Sequence, residues 1–164
     1  MIFCTTGTQA PFDRFIKAID EIALVLEEDF FVQAKKGKYV PKNIRVVDFI
    51  PPDEFAKIAQ SAKIIIAHAG IGSIVSAMRL NKPLIIFPRI AKLGEHRNEH
   101  QLATAKKIGE LGYAYVVNDV DELKELILRK NLTSLHKMGE FASVSLIDEI
   151  RNVIECSTSF AQKK

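Results

Sequence analysis

Short apolar runs alternate along this chain with longer segments whose apolar residues recur every three or four positions. The short runs are typical of buried parallel strands, and the longer segments are typical of amphipathic helices packed on a sheet. We predict strands at residues 2–6, 30–34, 45–49, 63–67, 84–87 and 113–117. We predict helices between and after them, at residues 12–27, 52–60, 72–80, 97–111 and 120–130.

This order of elements predicts an α/β fold, an open, doubly wound (Rossmann-like) parallel six-stranded sheet. Such sheets bind ligands at the carboxyl ends of their strands, where the first and fourth strands diverge to opposite sides. Strand one ends in CTTGTQ and strand four is followed by HAGIGS. Both segments are polar, contain glycine and lead into a predicted helix. We therefore expect two helix N-termini to converge on a ligand there.

The second of these segments has the chemistry of an anion site. A helix N-terminus presents unpaired N–H groups, and Gly70 and Gly72 remove side chains that would hold an anion away from the backbone. Ser73 adds a hydroxyl, and His68 can donate a ring N–H to a phosphate oxygen. The same kinds of group occur in the first segment at Thr6, Gly7 and Thr8. The alternative interpretation is that the glycines only form turns and that His68 is a structural histidine.

A third polar segment follows strand five, which ends in FPR. Amide and carboxylate groups there suit sugar hydroxyls, because they accept and donate in fixed pairs. Its position at the same sheet edge favours a ligand-binding role over that of a solvated loop. The basic side chains are Arg89, Lys92, His96, Arg97 and His100, and the acidic and amide ones are Glu95, Asn98, Glu99 and Gln101.

Composition and weaker motifs exclude several other classes. The 23 basic and 20 acidic residues are spread along a chain without tryptophan, so no nucleic-acid surface is expected. Cys4 and Cys156 lack the spacing of a disulfide framework or zinc site. The longest apolar runs are far below the roughly 20 residues that span a bilayer, and residues 2–4 already look like a strand rather than a signal peptide. We expect one soluble domain over residues 1–164.

Two motifs offer other ligands. The segment GIGSIV begins like the dinucleotide fingerprint G-x-G-x-x-G, but Val75 replaces the third glycine. The segment HRNEH places His96 and His100 one helical turn apart, yet lacks the H-E-x-x-H order and a clear third ligand. A nicotinamide-binding domain therefore stays a weaker alternative, and no metal site is expected.

Together, the segments GTQAPFDRF, HAGIGS, KPLIIFPR and GEHRNEHQLATA resemble glycosyltransferase family 28, over about residues 2–117. The resemblance is to the C-terminal, donor-binding half of a GT-B fold. It is strongest to small separate subunits, including the catalytic subunit of the transferase that makes dolichol-linked chitobiose and bacterial exopolysaccharide and capsule transferase subunits. The bacterial exopolysaccharide type is the nearest.

The resemblance also implies roles for individual residues. His68, Gly70, Gly72 and Ser73 match the H-x-G-x-x-S segment that holds the diphosphate of a UDP-sugar. Gly7 and Thr8 match the first-loop segment that faces the same phosphates. His100 and Gln101 fall where the family places a pair of residues on the donor sugar, and Glu95 and Asn98 match the GEHRN pattern of the bacterial subunits. Thr6 and Arg89 complete the predicted donor site.

The chain departs from the family at one position. Many relatives carry a ribose-binding acid three residues after the motif serine, where this chain has Ser76. Glu95 is the candidate substitute. No residue of this chain is assigned as the catalytic base, which the family usually takes from the acceptor-binding domain.

The resemblance implies an inverting hexosyltransferase that uses a UDP-sugar without a metal or other cofactor. The implied partner is a membrane-anchored, acceptor-binding subunit, with a lipid-linked saccharide as acceptor, in exopolysaccharide or capsule biosynthesis. The chain is then expected to be cytoplasmic, held at the inner face of the membrane by that partner. Residues 146–160 are predicted to form a C-terminal helix, which either completes the domain or docks on the partner. A non-catalytic, nucleotide-sugar-binding subunit is the main alternative.

Overall fold

The computed structural model describes residues 1–129 and 131–139 of the chain. The described strands are β1 (Ile2–Thr5), β2 (Phe30–Gln33), β3 (Val46–Val47), β4 (Ile64–Ala67), β5 (Leu84–Ile86) and β6 (Tyr115–Val116). They all pair in parallel, in the order β3-β2-β1-β4-β5-β6. The chain moves outward from β1 in one direction and from β4 in the other, which confirms the predicted doubly wound sheet.

The helices lie close to their predicted places. The largest difference is at α4 (His100–Glu110), which begins three residues later than predicted. Residues 94–99 form a loop instead, because the carboxylates of Glu95 and Glu99 accept the N–H groups of Ile90 and Ala91 and fold the segment back on itself. The helices are α1 (Asp13–Val25), α2 (Pro52–Ser61), α3 (Ile71–Arg79), α4 (His100–Glu110) and α5 (Val120–Leu128), with a 3-10 turn at Ala91–Leu93.

The sheet is buried on both faces, which explains the uninterrupted apolar runs of its strands. Alternate residues of β1 enter different cores. Ile2 and Cys4 pack in a cluster with residues of α1 and α5, such as Phe15. Phe3 packs in the opposite cluster with residues of α2, α3 and α4, such as Ile74. This double cover fixes the positions of β1, β4 and β5, and therefore of the loops that leave their carboxyl ends.

The described chain ends by crossing the edge strand. The hydroxyl of Tyr115 in β6 donates to the carbonyl of Thr133, and the ring of His136 stacks on Tyr113 at 3.9 Å between centroids. No helix in the described ranges is both long and apolar enough to cross a membrane. The predicted helix at 146–160 and Cys156 lie outside the described residues.

Candidate functional site

A cavity of about 480 Å³ lies at the carboxyl edge of the sheet, where the segments after β1, β4 and β5 meet. Its volume is within the usual range for small-molecule sites, about 300 to 1,000 Å³. The structure therefore brings together three segments that are far apart in sequence. The predicted site residues that line the cavity are Thr6, Gly7, Thr8, His68, Gly70, Gly72, Ser73, Arg89, His100 and Gln101.

The imidazole of His68 lies between two glycines, one from each central loop. A Cβ atom added at Gly70 would lie 2.3 Å from His68 Nε2, and one at Gly7 would lie 3.1 Å from His68 Cε1. Gly7 also has a φ of +70°, in the left-handed region that favours glycine. Gly70 is thus needed to make room for the ring, and Gly7 combines a close approach to the ring with a left-handed backbone, which goes beyond the turn-forming role considered from sequence.

His68 is neutral near pH 7. The pKa of His68 is lowered from 6.5 to about 4, mainly by burial and in smaller part by the nearby Arg89 guanidinium and His96, while a backbone contact with Thr5 opposes the shift. A neutral imidazole carries one donor and one acceptor nitrogen. His68 can therefore offer a ligand a hydrogen bond without contributing a net charge.

Two polar atoms beside this cavity have no partner among the described residues. They are Oγ1 of Thr6 and Nδ1 of His68, and both are buried. Buried polar groups are nearly always hydrogen-bonded, to protein or to ordered water. Because neither atom reaches the surface, an ordered water is a suitable partner for each.

The depressed pKa of His68 predicts that stability falls in mild acid. Because the folded-state pKa is below the unfolded value of 6.5, the unfolded chain binds more protons as the pH falls from about 6.5 to 4. Between pH 7 and pH 5 this group alone is expected to cost about 2 kcal/mol of unfolding free energy. Urea unfolding at the two pH values measures the loss, and His68→Gln is expected to reduce it. An equal loss in that variant would contradict the assignment.

The first turn of α3 supplies the anion-binding geometry. Its N-cap is Gly70, and the N–H groups of Ser73 and Ile74 bond back to the Gly70 carbonyl. The N–H groups of Ile71 and Gly72 have no acceptor within the helix, as in the first turn of every helix. Both residues line the cavity, and a Cβ added at Gly72 would meet nothing within 4 Å. The positive end of the helix dipole therefore faces an open space.

The second helix start at the cavity belongs to α4. The prediction that α1 would supply it is wrong. Helix α1 begins only at Asp13, and none of its residues is among those that line the cavity in the described chain. His100, Gln101 and Thr104 of α4 line the cavity instead. The amide oxygen of Gln101 accepts the N–H of Arg89 at 3.1 Å and so ties α4 to the end of β5.

Arg89 lines the cavity, but its guanidinium hydrogen-bonds to backbone carbonyls of the protein itself. Only 2% of the residue is exposed. Its guanidinium donates to the carbonyls of Thr6 at 3.1 Å, Ala10 at 2.7 Å, Pro11, and Glu95 at 3.2 Å. Burial lowers the pKa of Arg89, and the neighbouring Glu95 carboxylate opposes that effect. Arg89 thus joins the segment after β1 to the segment after β5.

Glu95 and Asn98 lie outside the cavity lining. The carboxylate of Glu95 is taken up by the Arg14 guanidinium and the N–H of Ile90, so its position does not support the ribose-binding role considered from sequence. Asn98 Oδ1 lies 3.1 Å from His96 Nδ1 and accepts the N–H of His100 at 3.3 Å. Asn98 thus orders two histidines that do line the cavity.

Ser76, at the position where many relatives carry the ribose-binding acid, lies outside the cavity lining. Its hydroxyl donates to the carbonyl of Gly72 at 2.8 Å, and the residue lines a separate groove between α2 and α3.

Sequence reasoning missed His96 as a lining residue. Its signal was its place in the GEHRNEH segment, four residues before His100.

The cavity combines groups that suit a phosphate with groups that suit a sugar. Hydroxyls, imidazoles and the start of α3 can donate to phosphate oxygens, while the amide N–H groups of Gln101 and the hydroxyl of Thr104 can pair with sugar hydroxyls. Within residues 1–129 and 131–139, no three His, Cys, Asp or Glu side chains cluster as metal ligands would. The expected independence from metals stays a prediction.

A doubly wound sheet with a polar cavity at its central carboxyl edge has the architecture in which open α/β domains bind nucleotides and other small ligands. The family "Glycosyltransferase family 28 C-terminal domain" matches residues 1–149. The chain belongs to this glycosyltransferase family, as its motifs suggested.

A curated relative extends this result. The chain is 35% identical over 79 residues to the "UDP-N-acetylglucosamine transferase subunit ALG13" of Eremothecium gossypii, a match that covers 48% of this chain and 37% of the relative. The chain thus spans little more than a third of the length of that relative. The relative's name does not address exopolysaccharide or capsule synthesis, which stays a prediction.

Solved structures confirm the fold. The solution structure of ALG13 matches with a TM-score of 0.54 at 21% identity, over 91% of this chain and 93% of that one. The calicheamicin glycosyltransferase CalG4 matches with a TM-score of 0.54 at 16% identity, over 78% of this chain and 32% of the enzyme. The predicted relation to one half of a GT-B glycosyltransferase is therefore confirmed at the level of fold.

Proposed function

We propose that the chain binds a UDP-sugar in this cavity, as the catalytic donor subunit of a two-component inverting glycosyltransferase. It transfers a hexose-type sugar to a lipid-linked glycan acceptor in polysaccharide biosynthesis. The proposal rests on the neutral imidazole of His68, fitted between Gly7 and Gly70 at the open start of α3. The name of the relative makes UDP-N-acetylglucosamine the first donor to test.

The proposed chemistry is a displacement at the anomeric carbon of the sugar. An acceptor hydroxyl forms the new bond, the bond to UDP breaks, and UDP leaves with the electron pair. The hydroxyl proton goes to a base outside the described part of this chain. Preorganised donors can stabilise the charge that develops on the departing phosphate. The start of α3, the Ser73 hydroxyl and the His68 ring supply such donors.

A partner subunit supplies the acceptor side in this proposal. The cavity is a groove at the sheet edge, walled by three loops of this chain. The relative is itself named a subunit, which supports a shared active site. We propose a membrane-anchored partner that binds the lipid-linked acceptor, and a cytoplasmic location for this chain at the membrane's inner face.

Calorimetry at pH 7 with UDP, UDP-N-acetylglucosamine, UDP-glucose and NAD tests donor binding. We expect UDP and at least one UDP-sugar to bind and NAD not to bind. His68→Ala removes one hydrogen bond to the ligand and is expected to weaken UDP binding about tenfold. The control is His136→Ala, which removes a histidine stacked on Tyr113, outside the cavity lining. Binding of NAD without UDP would favour the nicotinamide alternative.

A transfer assay separates catalysis from binding. The chain co-purified with its membrane partner is given a radiolabelled UDP-sugar and the partner's membranes as the acceptor source. We expect His68→Ala to lower transfer at saturating donor. Unchanged transfer in the complex would favour a non-catalytic donor-binding subunit, whose binding of UDP the calorimetry would still show.

A further inference from the structure

We propose that Arg14 and Glu95, both outside the cavity lining, are positioning residues for donor binding. They fix residues 90–99 so that His96 and His100 face the cavity. This inference rests on the proposed UDP-sugar site and assigns a role to an ion pair that the sequence analysis did not foresee.

The ion pair itself has the geometry of a strong contact. Arg14 Nε lies 2.7 Å from Glu95 Oε1, and Arg14 Nη2 lies 2.9 Å from Glu95 Oε2. Two parallel charge-assisted bonds of this kind fix orientation as well as distance. The side chains are 23% and 11% exposed, so solvent screens this pair less than it screens a surface pair.

Arg14 is in turn anchored to the core. Its Cζ atom lies 4.2 Å from the ring centroid of Phe87 and 5.3 Å from that of Phe12. Its Nη2 also donates to the carbonyl of Pro88 at 2.7 Å. Because Phe87 and Pro88 directly follow β5, Arg14 is held against the end of a central strand and can fix the position of the Glu95 carboxylate.

Glu95 connects the anchored Arg14 side chain to the loop of residues 90–99. Its Oε2 accepts the N–H of Ile90 at 2.8 Å, which closes the loop on its own base. Its backbone carbonyl accepts from Arg89. The next residue is His96, which lines the cavity and contacts Asn98. The pair is therefore separated from a ligand-facing imidazole by a single peptide bond.

The loop has little regular structure, and the other contacts that hold it include the Glu99 carboxylate on the Ala91 N–H, Arg89 on the Glu95 carbonyl, and Asn98 with its two histidines. Between β5 and α4 there is one 3-10 turn, Ala91–Leu93, within the described chain. Without the ion pair, we expect the loop to sample several conformations, and the ligand would then have to order it on binding. Ordering costs of this kind reduce affinity without removing any direct contact.

The test compares Arg14→Gln, Glu95→Gln and the double variant by calorimetry with UDP. Each single variant is expected to weaken UDP binding about tenfold, the ordering cost of two side chains. The double variant is expected to be no weaker than the worse single one, because the second change removes a contact already broken. Arg14→Lys keeps the charge and is expected to restore part of the loss.

A matched control lies on the same helix. Lys17 and Glu21 of α1 form an exposed ion pair at 3.8 Å. The double variant Lys17→Gln, Glu21→Gln is expected to bind UDP like the wild type. If the Arg14 and Glu95 variants lower the melting temperature but leave UDP affinity unchanged, the pair is only structural and the inference is overturned.

A second measurement does not depend on any ligand. The ring signals of His96 and His100 in NMR spectra of the free protein are expected to shift in Glu95→Gln, while those of His136 stay in place. Unshifted signals from all of these histidines would overturn the inference. If the wild type does not bind UDP at all, the proposed function fails, and the histidine signals still show whether the ion pair positions the loop.

Discussion

Gly70→Ala is expected to weaken UDP binding at least about tenfold, as much as His68→Ala, because the added methyl group displaces the His68 ring from its place in the site. The new methyl group would lie 2.3 Å from Nε2 and 2.6 Å from Cε1 of His68, far inside any van der Waals contact. The ring cannot simply move away, because it is largely buried and Gly7 lies on its other side. Calorimetry with UDP measures the loss.

Gly72→Ala is the control for the effect on stability of a methyl group added nearby. Nothing lies within 4 Å of a Cβ atom at Gly72, which is inside α3, so alanine there is expected to leave His68 in place and to raise the melting temperature. Gly70→Ala is expected to lower it. Wild-type UDP affinity in Gly70→Ala would contradict the role of the histidine as a fixed wall of the site.

The fold could be predicted from sequence because a parallel sheet buried on both faces leaves a strong pattern. Strands such as Ile64–Ala67 are short and wholly apolar, and every described strand except β2 is followed by a helix, so the alternation itself specifies the topology. Most of the candidate site followed from the same rule, because the carboxyl ends of parallel strands share an edge. His68 and Gly7 could be placed together without any coordinates.

The rest depends on side-chain directions and long-range pairs that periodicity does not encode. Arg14 and Glu95 are 81 residues apart, and no local pattern links them. Asp20 lies on the helix predicted to be amphipathic, yet it is buried and accepts from the backbone of Lys42 and Asn43. Those donors and the Tyr39 hydroxyl outweigh burial and hold the pKa of Asp20 below its usual value.

Arg89 shows the same limit within the site. Its charge and position predicted a donor contact, and it does line the cavity. The direction of its guanidinium, toward four carbonyls of two loops, was not deducible from sequence. Its role in the structure is therefore to hold together the segments after β1 and β5 that line the cavity.

Arg89→Lys is expected to reduce the unfolding free energy by about 4 kcal/mol, since each buried carbonyl left without a donor costs about 1 to 3 kcal/mol. A lysine ammonium has three donors on a flexible stem and cannot reproduce the planar fork that reaches carbonyls on two sides. It also loses the packing of the guanidinium over the Phe12 ring, at 4.6 Å. Urea unfolding measures the change.

UDP binding is expected to weaken in the same variant even where it stays folded, because the segments after β1 and β5 would no longer be held together. The control is Arg79→Lys, at the exposed end of α3, which is expected to change stability by less than about 0.5 kcal/mol. An Arg89→Lys protein with wild-type stability would show that the four carbonyls do not need the guanidinium. Wild-type stability together with weakened UDP binding would instead support the direct contact between Arg89 and the donor that was predicted from sequence.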